Sequence, residues 1–219
     1  MLQAATVGFL QQLAKNNNKV WFDANRDMYQ TAKTDFEAFT TQLIAHMCKF
    51  DASLQDIQAK DCIFRIFRDV RFGKDKTPYK PNFAAAISKN GRKFMGAGYY
   101  IHLEAGGKTM LGGGMYMPEA PQLKALRQEI DYNFKEFKGI LSAKAFKKHF
   151  GEVEGEKLKN PPQGFDADNP AIEYLKMKSM IVMKKIDDSS LTGKNFTKEC
   201  AEAFAAMKPF MDFLNRALD

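Results

Sequence analysis

The apolar residues of this 219-residue chain change their period along its length, and that change constrains the fold more than any other feature. From about Asn25, Met28, Ala32, Phe36, Phe39, Leu43, Met47 and Phe50 recur at steps of three and four. Such spacing places one buried stripe along an amphipathic helix. A shorter helix precedes it, with Thr6 as its cap and Phe9, Leu10 and Leu13 on its apolar face, and Asn16-Asn17-Asn18 breaks it. In the middle third the period falls to two. Cys62 to Phe67 is β-branched and aromatic, and Phe83 to Ser88 reads as a strand before Lys89-Asn90-Gly91-Arg92, where Asn-Gly suits a tight type I′ hairpin. Tyr99, Ile101 and Leu103 alternate with Tyr100, His102 and Glu104, and Ala105-Gly106-Gly107-Lys108 turns the chain into Thr109 to Tyr116. The product is an antiparallel meander with one face buried.

The helical period then returns. Pro118 stands at the first turn of a helix carrying Leu123, Leu126 and Ile130, and Phe134, Phe137, Ile140 and Leu141 continue the pattern. Ser142 caps a further turn or two ending at Gly151. Glu152 to Pro170, with Pro161-Pro162 and Gly164, is a long irregular connection, a kind of segment that is often functional or flexible. Ser179 to Lys185 offers one more strand, and a last helix runs through Phe196, Cys200, Phe204, Met207, Phe213 and Leu214, with a kink expected at Pro209. The chain is therefore read as α+β: an antiparallel meander sheet of about four to five strands, packed with N-terminal, central and C-terminal helices. Its length suits a single domain over residues 1–219, able to bury a core without metals or disulfides.

No apolar run is long enough for a bilayer span, and Met1 to Thr6 has no basic or long apolar stretch of a secretory signal. Cys48, Cys62 and Cys200 form no CxxC pair and have no histidine at zinc-finger spacing. Reduced thiols, a cytoplasmic location, no membrane association and no cofactor or metal are expected. The sequence does not decide whether the protein is an enzyme or what its oligomeric state is.

Gly107-Lys108-Thr109 resembles the end of a phosphate-binding loop, but the upstream glycine would fall at His102 and the segment lies in a hairpin, so that motif is rejected. Gly96-Ala97-Gly98 lacks the third glycine, at Ile101, of a dinucleotide fingerprint. Asp166-Ala167-Asp168 is followed by Pro170 where a calcium loop needs another ligand, so it reads as a capped turn. His46 lies by the apolar stripe of its helix and reads as an interface histidine, and neither His102 nor His149 sits in a recognised catalytic motif. His102 does share a sheet face with Tyr100 and Glu104. If solvent does not cover that face, the trio is a candidate for proton chemistry, because a carboxylate two residues along a strand can orient an imidazole.

One segment stands apart. Arg65 to Lys80 holds six basic residues, Arg65, Arg68, Arg71, Lys74, Lys76 and Lys80, against two acids, Asp69 and Asp75. It thus concentrates +4 of the chain's net +7 in one strand-to-loop transition. Guanidinium forks and lysines interleaved with Phe72 and Tyr79 can grip phosphate or carboxylate groups, with a ring on which to stack. An equally weighted reading pairs Asp69 and Asp75 with these cations to brace a loop. Gly112, Gly113 and Gly114 are expected beside the run as the other wall of one site, since three glycines in a strand leave nothing to pack and invite close approach by a ligand or another segment. A bulge that ends the strand is the competing account.

The chain resembles the bacterial domain-of-unknown-function family 2461 over nearly its whole length. The resemblance rests on Asn17 with Trp21-Phe22, the run Arg65 to Lys80, Gly98-Tyr99-Tyr100, Gly112-Gly113-Gly114-Met115-Tyr116-Met117-Pro118, and Gly164-Phe165 with Asp168-Asn169-Pro170. The chain departs from the pattern at Gly73, where serine is frequent, and at Asn160 and Asn169, where arginine and histidine are common. The resemblance implies an α+β domain and brings with it no activity, cofactor or catalytic residue. The partner expected from the residues themselves is an anionic small molecule, with nucleic acid less favoured because the other charges are mixed. The alternatives are an interaction module docking an acidic protein, a purely structural charged loop, and an enzyme using Asp69 or Asp75 as acid or base.

Overall fold

The computed structural model describes residues 1–71 and 73–218. In chain order they form α1 (Ala4–Lys15), α2 (Lys19–Ala24), α3 (Arg26–Met47), α4 (Ala59–Cys62), β1 (Phe83–Ile87), β2 (Gly98–Leu103), β3 (Met110–Met115), α5 (Ala120–Tyr132), α6 (Phe134–Ser142), α7 (Lys144–His149), α8 (Ile172–Leu175), β4 (Met180–Lys185) and α9 (Phe196–Arg216). The class is α+β, with an antiparallel four-stranded sheet in the order β1-β2-β3-β4. The chain divides into two compact units. The first comprises Met1–Lys93, Tyr100–Leu111 and Lys185–Glu202, and the second Phe94–Tyr99, Gly112–Lys184 and Ala203–Asp219.

In the first unit Ala32, Phe36, Phe39, Leu43 and Met47 of the α3 stripe are inaccessible, whereas Met28 in its first turn is exposed and Phe50 lies past the end of the helix. Phe36 stacks on Phe83 of β1 at 5.3 Å, Phe9 of α1 lies 6.2 Å from the same ring, and Phe39 stacks on Phe196 at 5.5 Å. Full burial of one such side chain stabilises by about 1.5–3 kcal/mol, so these rings fix α1 and α3 against β1. Thr6 is not a cap. Its hydroxyl is buried and donates to Asp35 Oδ2, which also accepts the Gln3 N–H at 2.9 Å, so the start of α1 is held by α3. The capping side chain is Asn18, which accepts from the Trp21 N–H at 2.9 Å and starts α2.

Two expectations fail for local reasons. Cys62 to Phe67 is not a strand; it leaves α4 and makes isolated pairings, Ile63 with Ala85 and Phe67 with Tyr79. Pro78 and Pro81 on the facing segment have no N–H to extend the ladder. Asn90-Gly91 does not make a two-residue hairpin, because β2 begins only at Gly98. The Arg92 guanidinium instead donates to the carbonyls of Lys60, Asp61 and Ile63, drawing the loop onto α4. A Cβ on Gly91, at φ +57°, would stand 2.6 Å from the Asp61 carbonyl oxygen, so glycine is needed there. The turn from β2 to β3 forms as expected, with Gly106 and Gly107 at φ +86° and +71° and both N–H groups bonded to Asp188 Oδ2.

In the second unit α5 opens on a capping box of Glu119 and Gln122, with Pro121 rather than Pro118 in its first turn. Ser142 ends α6, and α7 starts from Ala143 with no side-chain cap. Phe137 meets Phe213 at 5.1 Å and Phe146 meets Phe210 at 5.8 Å, which builds an aromatic core between these helices and the second half of α9. Pro209 lies inside α9, which does not end there. Residues 152–170 are irregular apart from a pairing of Glu154 with Ile181 and another of Lys157 with Met177. The turn at Asp166 is closed by a backbone bond from the Asn169 N–H to the Asp166 carbonyl, and the Asn169 side chain accepts the Ala171 N–H at 2.8 Å.

Cys48, Cys62 and Cys200 are free thiols. Burial, with a smaller push from the Asp61 charge, raises the Cys62 thiol to about 11. No helix among the described residues is long and apolar enough to cross a membrane.

Candidate functional site

Arg65 to Lys80 lies wholly in the first unit and folds back on itself. The Arg68 N–H donates to the Pro78 carbonyl at 2.9 Å and the Lys80 N–H to the Ile66 carbonyl at 2.8 Å, so residues 69–71 and 73–77 belong to the tip of an irregular hairpin. Its base is clamped by a residue far away in sequence. Asn17 Nδ2 donates to the Tyr79 carbonyl at 2.9 Å, and Asn17 Oδ1 accepts the Tyr79 N–H at 3.1 Å. Phe22, five residues on, stacks its ring on Tyr79 at 3.9 Å. The side chains that fix the hairpin thus come from the turn between α1 and α2 and from α2 itself.

Both aspartates are used within the hairpin. Asp69 takes a bidentate contact from Arg71, 3.0 Å from Nε and 2.7 Å from Nη2, and this holds its carboxyl below the usual carboxylate range. Asp75 accepts the Thr77 N–H and hydroxyl at 2.9 and 2.8 Å, which lowers its pKa in the same way, and it pairs with Arg68 Nη2 at 3.1 Å. An aspartate held ionised by such contacts is a poor general acid. Lys76 Nζ donates to the Val70 carbonyl at 2.8 Å. The bracing expected of the acids is therefore present at the tip.

At the base it reaches Arg68 alone, through Asp75. Among the described residues, no carboxylate lies within ion-pair distance of Arg65, Lys74 or Lys80. The Lys80 ammonium donates to the Arg65 carbonyl at 3.2 Å and lies 5.9 Å from the centre of the Phe64 ring. Burial pushes its pKa down, and the positive charges of Arg65 and Arg68 push it further. Arg68 Nε is buried with no hydrogen-bond partner among the described residues. Three cations, one with an orphaned donor, thus meet at the base of the hairpin.

The ring expected to stack on a ligand is not Tyr79, which is 4% exposed and covered by Phe22. Phe67, 5.6 Å from Tyr79 and 47% exposed, is the ring that faces outward. The sequence of the segment did not reveal this, because Tyr79 is held and covered by Asn17 and Phe22, which lie far away along the chain. Phe72 lies outside the described residues. Lys74 and the Arg71 side chain are exposed at the tip.

Gly112, Gly113 and Gly114 belong to the second unit, and segments of that unit approach them. A Cβ on Gly112 would overlap Met183 Sδ, and one on Gly113 would overlap Met207 Sδ and stand 2.9 Å from the Gly98 carbonyl oxygen. Gly114, at φ +128°, would collide with the Met180 carbonyl. The close approach that three glycines imply is thus made here by β4, β2 and α9.

The alternating face of β2 holds a second cluster in the first unit. Tyr100 Oη lies 3.3 Å from His102 Nδ1, and His102 Nε2 lies 2.9 Å from Glu104 Oε2. Lys108, a residue to which the sequence reading gave no role here, donates to Glu104 Oε1 at 2.8 Å. Burial would raise the Glu104 pKa, but the hydrogen bonds from Lys108 and His102 outweigh it and hold the carboxyl below its usual range. Burial, and next the Glu104 charge, push the Tyr100 phenol up. Phe64 meets the Tyr100 ring edge-on at 6.4 Å. The other histidines lie elsewhere: His46 is half-buried in the last turn of α3, and His149 Nδ1 is 2.9 Å from Lys184 Nζ in the second unit. A groove of about 510 Å³ beside α3 and α4 is lined by residues that include Glu37, Ile44, Cys48 and Lys60 and by none of those expected from sequence.

A family model described as conserved hypothetical protein (DUF2461) matches residues 5–213, and the chain belongs to that family. No curated protein and no solved structure matches the chain.

Proposed function

We propose that the protein binds an anionic small molecule, bearing phosphate or carboxylate, at the base of the hairpin formed by Arg65 to Lys80. The observation that carries this reading is the gathering of Arg65, Arg68 and Lys80 with one buried guanidinium donor unpaired and no acid at Lys80. A buried donor without a partner costs roughly 1–3 kcal/mol, and like charges held together add to that cost. An anion would relieve both at once. The exposed Phe67 ring beside the cations favours a ligand with a planar group. Docking of an acidic protein on the exposed tip, through Lys74 and Lys76, is the alternative, and the same experiment separates them. Three free thiols fit a reducing compartment, so the cytoplasm is the inferred location.

The test is thermal melting at low ionic strength with inorganic phosphate, ATP and a short oligonucleotide. A ligand at ten times its Kd stabilises by about 1.4 kcal/mol, or a rise of roughly 3–6 °C for a chain of this size. Arg65→Gln and Lys80→Met should abolish the rise, and Lys74→Ala with Lys76→Ala should leave it. No rise with any of the three anions overturns the proposal; loss of the rise only in the tip variant moves the site to the tip and favours the docking surface.

A further inference from the structure

The contacts around His102 fix which way its protons point. Glu104 is ionised and accepts only, so His102 Nε2 must carry hydrogen toward it. In the neutral ring this leaves the Nδ1 lone pair facing Tyr100 Oη, 3.3 Å away. Lys108 holds the other carboxylate oxygen, so the orientation runs in one direction, from Lys108 through Glu104 and His102 to the phenol. The imidazole and the carboxylate are shielded, at 15% and 14% side-chain exposure, and Tyr100 is half-buried beside them.

We infer that Tyr100 is a catalytic nucleophile, with His102 as its general base and Glu104 as the group that orients and charge-balances the imidazole. The arrangement repeats the roles of a serine–histidine–carboxylate triad with a phenol in place of the alcohol. Its substrate class is an electrophile that can lose an anion, such as an activated acyl or phosphoryl ester. In the step, Tyr100 Oη bonds to the electrophilic atom as the leaving group departs with its bonding pair. The phenolic proton passes to His102 Nδ1, and the imidazolium so formed is balanced by the Glu104 carboxylate.

At neutral pH the phenol stays protonated, so its nucleophilicity arises only as the proton moves. The 3.3 Å separation is loose for a hydrogen bond, as is common before a substrate tightens the geometry. The Phe64 ring meets Tyr100 edge-on at 6.4 Å and has Lys80 Nζ 5.9 Å from its centre, so it neighbours both clusters. The inference does not need the anion site, because it rests on the Tyr100, His102 and Glu104 contacts alone.

A neutral probe keeps the two readings apart. The intact protein is treated with phenylmethanesulfonyl fluoride at neutral pH, and labelled tyrosines are followed by peptide mass spectrometry. Here Tyr100 Oη bonds to sulfur, fluoride leaves, and His102 takes the proton. Tyr116 and Tyr132, 71% and 78% exposed, serve as internal references, since accessibility alone would label them first. Tyr100 should be sulfonylated at least about tenfold faster than either. His102→Gln and Glu104→Gln should each slow Tyr100 by at least about tenfold and leave Tyr116 and Tyr132 unchanged. Labelling of Tyr100 no faster than the exposed pair in the wild-type protein overturns the inference, with no variant required. An unchanged Tyr100 rate in His102→Gln overturns it as well.

Discussion

The clamp of Asn17 on Tyr79 makes a prediction that can be worked from the contacts. In Asn17→Ala the Tyr79 N–H loses its acceptor, while the carbonyl keeps a weaker donor, Arg68 Nη2 at 3.4 Å. Stranding the N–H of a residue that is 4% exposed costs roughly 1–3 kcal/mol, and the lost bond to the carbonyl adds about 0.5–1 kcal/mol. Because Asn17 itself is half-exposed and water can enter, a total of about 2 kcal/mol is expected, or a fall of roughly 4–8 °C in Tm. Asn17→Asp keeps the acceptor and loses the donor, so it should fall by less than half as much. The two variants are compared by thermal melting, and loosening of the hairpin is read by trypsin cleavage after Arg71, Lys74 or Lys76, which should accelerate in Asn17→Ala. A change in Tm below about 2 °C, or an aspartate variant as damaged as the alanine one, would refute the assignment of the clamp.

Gly113→Val should destabilise severely and yield little folded protein, because the new side chain meets Met207, Met211 and the Gly98 carbonyl, whereas Gly139→Ala, with open space at its Cβ, should melt as the wild type does. Glu104 has a folded pKa below its usual value, so it adds stability above its unfolded pKa, near pH 4.3–4.5, that is lost as pH falls through the folded value; Glu104→Gln should flatten the acid limb of a Tm-against-pH curve below about pH 4.5. Cys62, inaccessible and raised to about 11, should resist iodoacetamide at pH 8 while the half-buried Cys48 reacts, with Cys62 alkylated only on unfolding; alkylation of native Cys62 at the rate of Cys48 would contradict its burial.

What the sequence determined by itself is whatever depends on neighbours along the chain. The three-and-four spacing of Ala32, Phe36, Phe39, Leu43 and Met47 yielded α3, and the alternation of Tyr99 to Glu104 yielded both β2 and the trio on its partly exposed face, since helix and strand periods are local properties. The charge excess of Arg65 to Lys80 was equally plain. Which of those charges remain unpaired was decided by tertiary structure, because two aspartates among six cations admit many pairings, and hairpin geometry selected Asp69 with Arg71 and Asp75 with Arg68. The same holds for Tyr79, turned inward by Asn17 and Phe22 some sixty residues earlier, and for Gly112 to Gly114, whose missing Cβ atoms make room for Met183, Met207 and the Met180 carbonyl. A glycine or an aromatic ring states in sequence only that space is needed or filled; which atoms share that space is set by chain segments brought together only when the protein folds.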